Sequence, residues 1–132
     1  MVLRLVFLCF CVATLGCSAP EKNSTDSNVI GKLVFEELSY SFGTLKHGDV
    51  VGYRFKCYNS GKGPVSIHKV DKACGCTDVV YPKKPILPAD TCYVEVVFDT
   101  NGWHGRQVKR VALMANDSVK VHELLIWAEI VE

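Results

Sequence analysis

The 132-residue chain carries almost no net charge, with 15 basic residues against 14 acidic ones. Proteins that grip nucleic acid or an anionic membrane surface concentrate Lys and Arg, so neither role is expected. No apolar run approaches the roughly 20 residues that cross a bilayer as a helix; the stretch from Leu5 to Leu15 is too short. No segment sustains a helical period, which leaves strands as the building unit. No Ser-His-Asp set, paired carboxylates or phosphate-cradling loop stands out, so hydrolase and transferase chemistry have no support. There is no Cys-x-x-Cys pair either, and that is the spacing of thioredoxin-like redox sites. No internal repeat is visible, and no cofactor is expected.

What is present begins with an address. Arg4, a short apolar core and a small residue before Cys17 form the pattern of a secretory signal over residues 1–16. Thr14-Leu15-Gly16-Cys17 looks like a bacterial lipobox, in which Cys17 is acylated and becomes the mature N-terminus. An ordinary signal cleaved near Ala19 is the competing reading. Each buried CH2 contributes about 0.8 kcal/mol, and stable anchoring needs more than one chain; lipobox acylation supplies them. Loss of Arg4 would leave the two charge signs equal. Residues 17–32 are polar, without an aromatic, and are expected to be a flexible tether. Residues 33–132 suffice for one small domain. The expected location is the bacterial cell envelope, facing the periplasm or the cell surface, with the membrane as a partner through the lipid. Two glycosylation sequons, at Asn23 and Asn116, are read as chance.

Alternation sets the fold. Val51, Tyr53, Phe55 and Cys57 share one face of a segment from Val50 to Tyr58, and Cys92, Val94, Val96 and Phe98 share one face from Thr91 to Asp99. Period-two patterning of this kind marks half-buried strands. Asn59 to Pro64 and Asn101 to Gly105 are turn signals. Further strands are expected at Val34-Phe35, Tyr40 to Phe42, Val65 to Val70, Val108 to Ala115 and Val119 to Val131. Pro82, Pro85 and Pro88 punctuate a connection that cannot be a central strand. About seven short strands at this spacing predict an all-β, immunoglobulin-like antiparallel β-sandwich.

Of seven cysteines, Cys9 and Cys11 leave with the signal and Cys17 carries lipid. If the strands from Val50 and Thr91 pair antiparallel, Cys57 and Cys92 come opposite each other in the core. They are a candidate disulfide, or else two buried thiols acting as small apolar side chains. Cys74 and Cys76 are different. On a regular strand their Cα atoms lie about 6.6 Å apart, near the upper limit for a bridge. Gly75 can relax that limit. A ring this small constrains little of the unfolded chain, so a stability brace explains the pair poorly. A reversible dithiol is one reading, and Lys72 nearby favours a thiolate. Soft ligation of copper(I) or zinc is another, with His47, His68, His104, His122 and Met114 as further candidates, although none has ligand spacing to the pair. A structural corner or recognition loop is the third.

Phe35-Glu36, Tyr40-Ser41-Phe42-Gly43, Asn59-Ser60-Gly61, Cys74-Gly75-Cys76-Thr77, Pro88-Ala89-Asp90 and Phe98-Asp99-Thr100 with Gly102 and Gly105 follow a set pattern. From Leu33 to Val131 the chain resembles the bacterial domain-of-unknown-function family 1573. That resemblance implies an exported immunoglobulin-like domain similar to ASH and major-sperm-protein sandwiches, and implies no activity. Ala89 replaces the usual Gly of its turn, a change expected to be harmless, and Cys57 and Cys92 are not part of the family pattern. Taken together, the chain reads as a lipid-anchored envelope protein acting as a non-catalytic binding or structural module, with an envelope protein or glycan as partner. Thiol redox or metal binding at Cys74 and Cys76 is the alternative. Trp103 in the turn before Gly105 either offers a contact or folds back onto the sandwich.

Overall fold

The computed structural model describes residues 29–132. The expected signal, Cys17 and most of the tether lie outside the described residues. Eight strands follow in order: β1 (Leu33–Phe35), β2 (Ser39–Lys46), β3 (Val50–Asn59), β4 (Ile67–Lys72), β5 (Thr77–Val80), β6 (Thr91–Asp99), β7 (Gly105–Ala115) and β8 (Val121–Val131). They form two four-stranded sheets, β1-β3-β6-β5 and β2-β8-β7-β4. The architecture is the expected all-β sandwich with one strand more than anticipated. The added strand is β5.

Alternation is kept where it was read. Along β8, His122, Leu124, Ile126, Ala128 and Ile130 are buried and every residue between them is exposed. Phe55, Val94, Val96 and Phe98 from the first sheet meet Val111, Leu113, Leu124 and Ile126 from the second in one core. Each such side chain contributes about 1.5–3 kcal/mol by leaving water. The pairing of β3 with β6 is antiparallel throughout, from Val50 opposite Asp99 to Tyr58 opposite Thr91. One pairing departs from a purely antiparallel sandwich: β2 lies parallel to β8, with a bulge between Ser41 and Thr44.

Two boundaries shift. Val65 is not part of β4 but forms an isolated bridge with Ile86 in the proline-rich connection, and the register slips between Ile67 and Lys69. The expected tether also ends earlier than residue 32. The Lys32 carbonyl accepts from the Ser60 N–H at 2.8 Å, and the Ile30 carbonyl accepts from Lys62. A Cβ on Gly63 would collide with the Val29 carbonyl oxygen, so only glycine lets the entering chain lie this close.

These contacts give the sandwich two distinct ends. Leu33, Asn59, Gly63 and Asp90 sit where the chain enters, since Leu33 pairs with Asn59 and the Asn59 N–H donates to Asp90. At the other end of β3, about 30 Å away at the usual rise per residue, are Val50 and Asp99. The Cys76 carbonyl accepts from the Asp99 N–H there, at 2.9 Å.

Candidate functional site

Cys74 to Cys76 bridge the open side of the sandwich, leaving edge strand β4 of one sheet and entering edge strand β5 of the other. Backbone hydrogen bonds hold both ends of the loop. The Ala73 N–H donates to the Arg110 carbonyl on β7, and Asp99 on β6 donates to Cys76. Thr77 closes the loop from within, its hydroxyl donating to the Cys74 carbonyl at 3.0 Å. The Cα atoms of Cys74 and Cys76 are 5.2 Å apart and their sulfurs touch. The Cys76 N–H points at the Cys74 Sγ at 2.9 Å. Both cysteines are half-buried and Gly75 is exposed.

Cys57 and Cys92 are directly opposed across β3 and β6, with Cα atoms 5.0 Å apart and sulfurs in contact. That separation lies within the range of a bridge. Both are buried, so the two cysteine pairs differ in access more than in backbone spacing.

The remaining sequence candidates scatter. His122 is buried and its Nε2 lies 2.9 Å from the Asp117 carboxylate, which also accepts the Leu33 N–H; this cluster sits at the chain-entry end. His68 is exposed on β4, and Met114 pairs with Val121. His47 and His104 stack on each other, ring centres 5.0 Å apart, with the His47 Nε2 accepting the Gly102 N–H. Among the described residues no group of three or more His, Cys, Asp or Glu is placed to hold a metal. Lys72 is spent on Asp78, 3.5 Å away and exposed.

Trp103 folds back onto the sandwich and packs against its core. What holds it is Lys109, an inward-facing lysine whose ammonium lies 3.2 Å from the Trp103 ring centre and 3.1 Å from the Gln107 amide oxygen. Burial pushes the Lys109 amine below the ordinary lysine value, because the charged form loses water it cannot fully replace. A cation desolvated over an indole face recovers part of that loss.

The outer face of the second sheet was not singled out from sequence. Val108 and Trp127 are cross-strand partners there, exposed together with Leu125 and Val131. Val108 and Leu125 line a shallow groove of about 420 Å³ with Ala73, Arg110 and Glu123. Arg110 and Glu123 pair across it at 3.1 Å, and Arg106 lies over Trp127. Every second residue of β7 and β8 must face out, so these positions were legible as outward. Their apolar content becomes a patch only once the strands are paired. Ala73 carries the groove to the residue before Cys74.

The family described as Protein of unknown function (DUF1573) matches residues 33–130, nearly all of the described sandwich. The chain belongs to this family. Among solved structures, this DUF1573 chain is similar to a protein of unknown function from Porphyromonas gingivalis W83, with a TM-score of 0.64 and 19% identity over 76% of the chain. The chain spans about half of that protein, 46% of its length. It is similar to an ASH / PapD-like domain of human CEP192, with a TM-score of 0.64 and 11% identity, covering 91% of this chain and 99% of that domain. The VesB protease of Vibrio cholerae also matches, with a TM-score of 0.59 and 13% identity over 76% of this chain and 32% of the protease. At such identities these likenesses establish the PapD-like, immunoglobulin-like fold and nothing about activity. No curated protein is significantly similar to the chain.

Proposed function

We propose that this chain is a lipid-anchored binding module of the bacterial cell envelope that takes an envelope protein on the outer face of β7 and β8. The observation that carries the reading is the exposed strip of Val108, Leu125 and Trp127 beside the groove. Contiguous apolar surface rimmed by polar groups is characteristic of interaction sites. The strip suits protein better than glycan. It has one aromatic ring, and its central charges, Arg110 and Glu123, already bond each other, which leaves few free polar groups for sugar hydroxyls. The signal and lipobox patterns of residues 1–17 support the envelope location. A fold shared with ASH and PapD-like domains is compatible with a binding role, since sandwiches commonly present faces or edges to partners.

A photoreactive residue placed at Val108 in cells tests this. It should crosslink to one envelope protein, and the product should vanish when Trp127→Asp is added. The same probe at Tyr93, exposed on the other sheet, should give none. Equal crosslinking at both positions, no product at Val108, or capture of glycan alone would overturn the proposal.

A further inference from the structure

We propose that Cys74 and Cys76 are a thiol–disulfide exchange site that oxidises a protein dithiol. The site is independent of the groove reading above and rests on the loop itself.

The loop does not depend on its sulfurs for shape. Ala73 is tied to β7, Cys76 to β6, and Thr77 to the Cys74 carbonyl. None of these bonds uses a sulfur atom, so opening the sulfur–sulfur bond removes none of the loop's ties to either sheet. A bridge between residues two apart also constrains almost none of the unfolded chain. A pair only half-buried and this weakly coupled to folding belongs to the labile class of disulfides.

Gly75 points the same way. It is not among the positive-φ glycines, which are Gly43, Gly48, Gly102 and Gly105. A Cβ built on it meets no heavy atom within 4 Å beyond the two cysteines that flank it. Neither backbone conformation nor internal packing therefore requires a glycine here. The exposed Gly75 carries no side chain over the loop, which keeps the approach of an incoming sulfur open, since exchange proceeds by attack of a thiolate on a disulfide sulfur.

The chemistry is directional. The Cys76 N–H aimed at the Cys74 Sγ favours negative charge on that sulfur. A partner thiolate attacks the Cys76 Sγ, the Cys74–Cys76 bond breaks, and Cys74 leaves as thiolate. The mixed disulfide on Cys76 is then attacked by the partner's second thiolate. The Cys76 sulfur leaves, and the partner departs as a disulfide. Two electrons pass from the partner dithiol to the cysteine pair, and the protons released by the two partner thiols end on Cys74 and Cys76.

The experiment uses the full, oxidised protein with a reduced Cys-x-x-Cys peptide as probe, followed by acid quench, alkylation and mass mapping. Peptide disulfide should appear in step with two new alkylated thiols, at Cys74 and Cys76, while Cys57 and Cys92 stay protected. In glutathione buffer, Cys74→Ser should hold more glutathione on Cys76 than Cys76→Ser holds on Cys74. Gly75→Val should slow peptide oxidation severalfold with an unchanged unfolding midpoint. The wild-type measurement decides without any variant: intact peptide thiols, or Cys74 and Cys76 opening only together with Cys57 and Cys92, would sink the proposal. Equal glutathione loading of the two serine variants would overturn the assigned order of attack.

Discussion

Ala89 is the one described residue other than glycine whose backbone is left-handed, at φ 67°. It sits in the exposed turn that returns the chain to β6, its N–H donating to the Asn59 carbonyl at 2.9 Å. A Cβ in that conformation costs roughly 1–2 kcal/mol, so the substitution is not the harmless one expected from sequence. Ala89→Gly should stabilise the domain by up to about 1 kcal/mol, the freer unfolded chain offsetting part of the gain; a lower urea midpoint for the variant would contradict this. Lys109 makes a second prediction. Its amine is lowered by burial below the ordinary value of 10.5, so between the two values the unfolded chain holds more protons than the folded one. Stability should then rise with pH across that window. Lys109→Met should flatten this rise in denaturant titrations at increasing alkaline pH. Neither feature was legible in the sequence. The positive φ at Ala89 follows from turn geometry, and an inward lysine next to Val108 reads as an ordinary outward one until Trp103 is seen beneath it.

At the scale of elements, β3 and β6 were the most legible part of the chain. Their strict alternation fixes which face is buried, and a one-residue slip would expose Phe55 and Phe98. The opposition of Cys57 and Cys92 follows from that register. If the two are bonded, the closed loop spans a sequence separation of 35, and Cys57→Ala with Cys92→Ala should cost about 3–4 kcal/mol. Removing Cys74 and Cys76 together should cost only about 1–1.5 kcal/mol by the same reasoning. Equal losses in thermal unfolding would refute the distinction between the two pairs. Strand β5 was missed because Thr77–Val80 has four residues and no room to show a period. The parallel pairing of β2 with β8 was missed because register between distant strands leaves no local mark. The buried carboxylate of Asp117, which joins Leu33 to His122, was hidden as the middle residue of Asn116-Asp117-Ser118.

For the molecule as a whole, what matters is the separation of its ends. The chain enters beside Leu33, Asn59 and Gly63, and the Cys74–Cys76 loop and stacked His47 and His104 lie toward the other end. Cys17→Ala should move the protein from the membrane to the soluble fraction without changing its unfolding midpoint; retention in the membrane fraction would dispose of the anchor. The entry contacts also have a mechanical side. A pull on the chain ahead of Leu33 runs along β1, so the three pairs from Leu33–Asn59 to Phe35–Cys57 carry the load together rather than opening one by one. The Asp117 clip on the Leu33 N–H shares that load with the second sheet, which makes the shortest strand of the sandwich its tension-bearing joint.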